Sequence, residues 1–538
     1  MKTKLLILGL DGATFELIRP WADQGKLPNF KKVLEKGSCG ILKSTIPPVT
    51  APAWPAMYTG KNPGKLGVFY FEKEQKGTYE PYVGHPEYDE QNFWEILEDA
   101  GFKAGLVNCQ MTYPPMAMKG FMVSNAPTPE SEFTYPKELK QEITGMYKTK
   151  RIGFFESSRE DFLKEMFDGV DKKIKTAKYL MENKDWDMFF FTIIETDNLA
   201  HFFFNYMYPE IVGEEDNRKY GDVLFRIYKK ADEFLGYLIG TGNNVLVVSD
   251  HGTGFWDLAK PARVFYANKW LADEGWLTEK KSAKAVSFMS RIGLSPVNVY
   301  NALLKVKIDM RKYIPKKTQD RIIKPVASID YPNTKAWLRI NFSNFGGFRI
   351  NLEGRELSGA VKKSDYDAFR EELIAKLKAL KDPKTNKNVI RNAWRREDIY
   401  EGPHIDGAPD IIFEMIDNYT SLRMTGARQF ENVKRFSGFH TMDGIFMAYG
   451  PNMAEGKPIK EATVIDITPT VLHVFGLPIP KDMDGKVLED IFRPSTEIAD
   501  RKIEFADAGK ITKNQKKHKL SKKEEEDIRK RLVDLGYV

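Results

Sequence analysis

Residues Val245–Gly254 read VLVVSDHGTG, and this stretch decides the fold. Val245 to Val248 are four apolar residues in a row, and Ser249, Asp250 and His251 follow without a gap. Just upstream, apolar residues at 220, 223, 224, 227, 228, 231, 234, 235 and 238 recur at helical spacing, and Gly240 and Gly242 end the pattern. Before that helix lies another apolar run, Asp187–Ile194, DMFFFTII. Strand, helix and strand in this order make a βαβ unit. Strands that are apolar throughout, rather than alternating, are those of a parallel sheet covered on both faces.

The same pattern extends outward. Lys4–Leu10 and Ala104–Asn108 read as strands, the second preceded by a helix ending at Ala100-Gly101. After Leu10 a helical pattern breaks at Pro28 and resumes through Phe30, Val33 and Leu34. Later strands are expected at Lys335–Asn341, Gly347–Asn351, Asp410–Met415 and Gly444–Ala448, with helices near 364–380 and over Asp466–Phe475. The fold class is therefore α/β, a mostly parallel central sheet with helices on both faces. One domain is expected over residues 1–495, interrupted at about 256–330 by a mainly helical, cap-like insertion rich in Lys and Arg. Residues 496–538 form a charged tail. Within it Ser521 and Glu524 have the spacing of a capping box that starts a terminal helix.

Composition excludes several classes. The chain has 538 residues, with 82 basic against 75 acidic side chains and a net charge of +7. That bias is too dilute for specific nucleic-acid binding, which calls for a concentrated basic stripe. No run approaches eighteen apolar residues, so no membrane span is expected. Two cysteines, Cys39 and Cys109, provide neither a disulfide framework nor a Cys-based zinc site. A reducing, cytoplasmic setting is expected. There is no Gly-rich phosphate loop ending in Lys-Ser/Thr, no G-x-G-x-x-G, no G-x-S-x-G and no H-E-x-x-H.

Chemistry gathers at strand ends. Of seven histidines, His85, His404, His473 and His518 read as surface or packing residues. The other three sit beside acids or glycines. Asp197 and His201 are four apart after the DMFFFTII strand, a spacing that puts both on one face of a helix. Asp250-His251 ends the VLVV strand, Asp11 ends the first strand, and His440 lies in SGFHTMDG ahead of another. Ligand sites of parallel sheets form at the carboxyl ends of the strands. Three carboxylates and three imidazoles at one such edge would repel and desolvate badly unless divalent metal neutralised them. Mixed His nitrogen and Asp oxygen suits Zn²⁺, with Mn²⁺ as the alternative. A nucleophile is available in Thr50, where a helix begins with Pro52 in its first turn. Thr50 is either the N-cap or a hydroxyl activated by metal for attack on phosphorus.

These residues resemble the alkaline phosphatase superfamily, and within it the type I phosphodiesterase/nucleotide pyrophosphatase family. The resemblance rests on LILGLDGATFELI, PPVTAPAWPAMYTGKNPGKLGVF, TDNLAH, VVSDHG, GFHTMDGIFMAYGP and DITPTVLHVFGLPIPKDMDGKVL, in the family's order. It implies two divalent metal ions. Asp197, His201 and His440 would hold one; Asp11, Asp250, His251 and the Thr50 hydroxyl would hold the other. It also implies Thr50 as nucleophile, a covalent phosphothreonine that water hydrolyses, and a small-molecule phosphate ester or nucleotide as substrate. The chain departs from the family after T-G-x-x-P. There Lys65–Glu72 reads KLGVFYFE, with Leu66 in place of a His and no Asn for the phosphoryl oxygens. The alternatives are a phosphomutase or phosphotransferase on the same scaffold, which Thr in place of Ser disfavours, and a non-catalytic metal-binding relative. Arg339, Arg349 and Arg423 are expected in surface or structural roles.

Overall fold

The computed structural model describes residues 4–74, 77–79, 81–83, 88–125, 132–148, 152–154, 157–255, 262–280, 329–423, 428–433, 438–507 and 521–535. They form two compact units. One comprises residues 1–71, 83–255 and 437–538; the other comprises 72–82 and 256–436.

The first unit is built on a nine-stranded sheet. From one edge its order is Pro458–Thr463, Ser38–Lys43, Asp443–Tyr449, Asn244–Val248, Leu5–Leu10, Met188–Ile193, Ala104–Val107, Phe121–Val123 and Thr134–Tyr135. Leu5–Leu10 lies at the centre and pairs in parallel with Met188–Ile193 on one side and Asn244–Val248 on the other. The strands at either end of the long helix therefore flank the first strand rather than pairing with each other. Asp443–Tyr449 runs antiparallel to both of its neighbours.

Every residue of the three central strands is buried, because the sheet has a core on each face. Leu6, Leu8, Leu10, Phe189, Phe191, Val245 and Val247 pack into one core, and Leu5, Ile7, Met188, Phe190, Leu246 and Val248 into the other. This is the period-two alternation of a strand with both sides apolar. The helices Phe15–Asp23, Pro28–Lys36, Arg159–Asn183 and Val223–Gly240 contribute to the first core. Thr50–Thr59, Phe93–Asp99 and Ile467–Val474 contribute to the second. The helical pattern after Leu10 is broken as expected: one helix ends at Asp23, and the next resumes at Pro28. Pro28 is the first residue of Pro28–Lys36, where its missing N–H costs nothing. The terminal helix runs Lys522–Leu535, and Ser521 and Glu524 exchange the side-chain-to-backbone bonds of a capping box.

The second unit holds a four-stranded antiparallel sheet, ordered Ala336–Phe342, Phe345–Ile350, Ile411–Met415, Ile390–Arg395, with the helix Tyr366–Lys378 packed in its core. A three-stranded sheet, Tyr419–Leu422, Ala262–Tyr266 and Phe430–Val433, completes it. Its interior is tied by ion pairs. Glu72 receives Arg339 at 3.0 Å and Arg423 at 2.8 Å, and Arg349 bonds Glu356 at 2.8 Å. Residues 256–261 and 281–328, most of the expected insertion, lie outside the described residues, as do His85 and His518. Among the described residues, no helix is long and apolar enough to cross a membrane.

Candidate active site

All seven residues singled out in the sequence belong to the first unit, and six of them lie at the carboxyl edge of its sheet or just beyond. Asp11 directly follows Leu5–Leu10. Asp197 and His201 stand on the helix Glu195–Phe203 that leaves Met188–Ile193. Asp250 and His251 follow Asn244–Val248. His440 sits in the short strand Phe439–Thr441, which pairs antiparallel with Gly252–Gly254 so that His440 lies opposite Thr253. The seventh, Thr50, is the first residue of Thr50–Thr59, a helix buried on all sides. Val49 occupies the N-cap position, so the capping role open to Thr50 in the sequence is not the one it has.

Two groups form. Asp197 Oδ2 lies 3.2 Å from His201 Nε2, Asp197 Oδ1 lies 3.2 Å from His440 Nε2, and the two imidazole nitrogens are 3.1 Å apart. Beside them, His251 Nε2 lies 3.5 Å from Asp11 Oδ1, 3.3 Å from Asp250 Oδ2 and 3.3 Å from Thr50 Oγ1. The groups adjoin: the His251 and His440 rings stack with centroids 3.5 Å apart, and Asp197 lies close enough to serve with Asp11 and His251 as well.

Backbone carbonyls set the tautomers. His251 Nδ1 donates to Gly252 O at 3.0 Å and His440 Nδ1 donates to Pro48 O at 2.8 Å. A carbonyl oxygen only accepts, so each Nδ1 carries a proton and Nε2 is the nitrogen that faces the carboxylates. That is the arrangement of metal-binding histidines.

The electrostatics bear on what the cluster could hold. Burial, followed by the nearby carboxylates of Asp250 and Asp197, pushes the Asp11 carboxyl well above its ordinary range. Asp250 is raised in the same way, by burial and then by Asp197. Burial also opposes ionisation of Asp197, but His201 and His440 overcome it and hold its carboxyl well below the usual range. Burial, and then the adjacent His251, hold His440 down to about 3, so its imidazole is neutral. Among the described residues neither Asp11 Oδ1 nor Asp250 Oδ2 receives a hydrogen bond, although both are buried. Two carboxylate oxygens without a hydrogen bond and an imidazole nitrogen converging on one place fit a divalent cation, which would reverse the upward shifts.

Local sequence fixes these positions. Gly12 has φ +63°, and a Cβ there would lie 2.8 Å from Thr253 Oγ1 and 2.9 Å from Asp197 Oδ1. Gly12 N donates to Asp250 Oδ1 at 3.3 Å, Thr253 Oγ1 donates to Gly12 O at 2.6 Å, and Thr196 Oγ1 donates to Asp11 O at 2.6 Å. Asp11 Oδ2 accepts from Trp54 Nε1 at 3.4 Å and Gln110 Nε2 at 3.3 Å. Sequence reading singled out none of Gly12, Trp54, Gln110, Thr196 or Thr253. Gly12 and Thr196 adjoin a candidate ligand in the chain and Thr253 lies two residues from one, so they carried that signal; Gln110 carried none. Of the other histidines, His473 is buried with Nε2 donating to Ile498 O at 2.9 Å, and His404 is exposed.

The sequence model of the family described as "Type I phosphodiesterase / nucleotide pyrophosphatase" matches residues 5–443. No curated protein matches the chain. Similar solved structures include an inactive form of murine ectonucleotide pyrophosphatase/phosphodiesterase 5 in complex with AMP. It is 15% identical, with 91% of this chain and 100% of that one covered and a TM-score of 0.46. Another is phosphonoacetate hydrolase from Sinorhizobium meliloti 1021 in complex with phosphonoacetate. It is 14% identical, with 87% of this chain and 94% of that one covered and a TM-score of 0.51. At that identity the likeness concerns the fold, which is alkaline phosphatase-like.

Proposed function

Because this chain belongs to the type I phosphodiesterase/nucleotide pyrophosphatase family, we propose that it is a metal-dependent phosphohydrolase with Thr50 as its nucleophile. Its substrate is a small-molecule phosphodiester, nucleotide pyrophosphate or related phosphate ester. One observation carries this reading: the Thr50 hydroxyl begins a buried helix and points at His251 Nε2, 3.3 Å away, beside two bare carboxylate oxygens.

Asp197, His201 and His440 would hold one divalent ion, and Asp11, Asp250, His251 and the Thr50 hydroxyl a second. Zn²⁺ suits the donors and Mn²⁺ is the alternative. When bound, the ions would neutralise the carboxylates and offset the negative charge of the phosphoryl oxygens and of the oxygens attacking and leaving phosphorus.

The residues of the chain do the rest. Thr50 Oγ releases its proton to solvent and forms a bond to phosphorus while the bond from phosphorus to the leaving oxygen breaks and that oxygen takes a proton from solvent. Water then hydrolyses the phosphothreonine and restores the hydroxyl. The N-terminal end of Thr50–Thr59 favours the anionic phosphoryl group, since its first N–H groups have no partner within the helix. Trp54 and Tyr58 of that helix pack against each other and against Phe190, so the helix that begins at the nucleophile is held by a buried aromatic cluster. Both cysteines are free thiols, which suits a reducing compartment, and the cytoplasm is the proposed location.

The test compares Thr50→Ala with wild type on an activated aryl phosphodiester in the presence of Zn²⁺ or Mn²⁺, with metal content measured on both proteins. Thr50→Ala should lose turnover while retaining metal. A variant that keeps the wild-type rate would show that Thr50 is not the nucleophile.

A further inference from the structure

Asp11 has two unlike oxygens. Oδ1 receives no hydrogen bond and lies toward His251 Nε2, the nitrogen that also meets Thr50. Oδ2 is held by two neutral N–H donors, Trp54 and Gln110. Trp54 comes from the helix that begins at Thr50. Gln110 lies just beyond Ala104–Val107, a strand separated from the first by Met188–Ile193, and is 99 residues from Asp11 in sequence.

The segment around Gln110 is built with unusual care. Asn108 and Met111, two residues before it and one after, have φ +57° and +60°, a region that non-glycine residues rarely enter. Such backbone persists only where surrounding bonds hold it. Here Asn108 N donates to Val123 O at 2.7 Å, Asn108 Nδ2 donates to Thr192 O at 2.8 Å, and Tyr147 OH donates to Asn108 Oδ1 at 3.0 Å. Tyr58 OH donates to Gln110 O at 3.1 Å, and Thr112 Oγ1 donates to Cys109 O at 2.8 Å. The Gln110 side chain is fixed at its far end too: Asn125 Nδ2 donates to Gln110 Oε1 at 2.9 Å. The direction of this chain of amides follows from chemistry. A carboxylate kept ionised by a bound cation only accepts, so the Gln110 NH₂ faces Asp11 Oδ2 and its oxygen accepts from Asn125.

We infer that Gln110, oriented by Asn125, is a positioning residue for Asp11: it pins one carboxylate oxygen so that the other is presented to the metal at the Thr50 site. This rests on the metal-site reading above. It gives a neutral amide, absent from the sequence motifs, a direct part in metal affinity. Outer hydrogen-bond partners of metal ligands typically change affinity about 10–100-fold when removed.

The experiment strips wild type, Gln110→Glu, Gln110→Ala and Asn125→Ala of metal and titrates each with Zn²⁺ alone against a competing chromophoric chelator. Circular dichroism and thermal melting accompany each titration. Gln110→Glu keeps the shape but sets a carboxylate against Asp11 Oδ2. It should weaken one class of site about 10–100-fold and leave the other near wild type. Gln110→Ala should fall in the same direction, and Asn125→Ala less far, since there the amide remains but is free to turn. With metal raised to saturation, the aryl diester KM of Gln110→Ala should stay near wild type. Three folded variants that bind Zn²⁺ as wild type does would overturn the inference and leave the metal-site reading standing. Wild type that binds no Zn²⁺ would overturn both. Should Gln110→Ala melt early, Asn125→Ala and the isosteric Gln110→Glu still decide the matter.

Discussion

Replacing Gly12 by alanine should separate two costs that this structure keeps apart. Gly12 and Gly25 both have left-handed backbone, φ +63° and +72°. An L-residue there costs roughly 1–2 kcal/mol. At Gly25 a Cβ would meet nothing within 4 Å, so Gly25→Ala bears the backbone term alone. At Gly12 it would lie 2.8 Å from Thr253 Oγ1, 2.9 Å from Asp197 Oδ1 and 3.1 Å from Asp197 Cβ. Neither neighbour yields easily: Thr253 Oγ1 is bonded to Gly12 O, and Asp197 is held between two imidazoles. Overpacking of this kind typically adds about 1–3 kcal/mol. Gly12→Ala should thus destabilise by about 2–5 kcal/mol and Gly25→Ala by about 1–2. Urea unfolding of metal-stripped protein, followed by tryptophan fluorescence, measures both without a contribution from bound ligand. Equal midpoints for the two variants would refute the steric argument. Because the displaced side chain includes Asp197, Gly12→Ala should also weaken Zn²⁺ binding while Gly25→Ala leaves it unchanged.

Chelation should abolish aryl diester hydrolysis and lower the thermal midpoint, since an ion at 100 times its Kd stabilises a protein by about 2.7 kcal/mol. An unchanged midpoint after EDTA, with metal removal verified, would count against a metal-loaded native state. Lys173 and Glu195, both buried and 2.7 Å apart, anchor the start of the helix that carries Asp197. Lys173→Met alone should cost about 3–5 kcal/mol, and adding Glu195→Gln should recover most of it; equal losses in the single and double variants would dismiss the pairing. Burial opposes ionisation of Glu72, but Arg423 and Arg339 outweigh it and hold its carboxyl below the ordinary 4.5. A depressed carboxyl stabilises fully above that ordinary value, and the contribution is lost as pH falls below it through the folded value. Glu72→Gln should therefore flatten the stability slope below pH 4.5, which urea melts across pH 3–6 would show or contradict.

The parts legible in the sequence were those with one strong local signal. Leu5–Leu10, Met188–Ile193 and Asn244–Val248 are nearly pure apolar runs because both faces of the sheet are covered there. Ser38–Lys43 was not read as a strand. Its residues alternate weakly, and Ile41 is 42% exposed, so little of the core is written into it. The 25-residue helix Arg159–Asn183 also went unread, because its apolar positions are diluted by charge over its whole length. At the site, the charged residues declared themselves by standing at strand ends. The residues that orient them did not, because a neutral amide such as Gln110 has no pattern in the chain and gains its role only across 99 residues of separation. The resemblance placed Asp197 with His201 and His440. The geometry adds that Asp197 also lies within reach of Asp11 and His251, so the two groups share an edge.

The place of Asp443–Tyr449 in the sheet bears on how the protein is made. It is the spacer between Ser38–Lys43 and the parallel core, and it runs antiparallel to both neighbours. Until it leaves the ribosome, Ser38–Lys43 has no route into the sheet, and Lys43 and Asp443 are 400 residues apart in the chain. At about 5–20 residues per second, that is a wait of roughly 20–80 s. During that time an early strand and the Thr50 helix behind it remain without their final partners. His440, whose Nδ1 bonds Pro48 beside that helix, arrives at the same late moment. The nascent chain thus carries Thr50, the nucleophile proposed above, long before the groups around it are in place. Premature metal capture and chaperone demand should both concentrate in that interval.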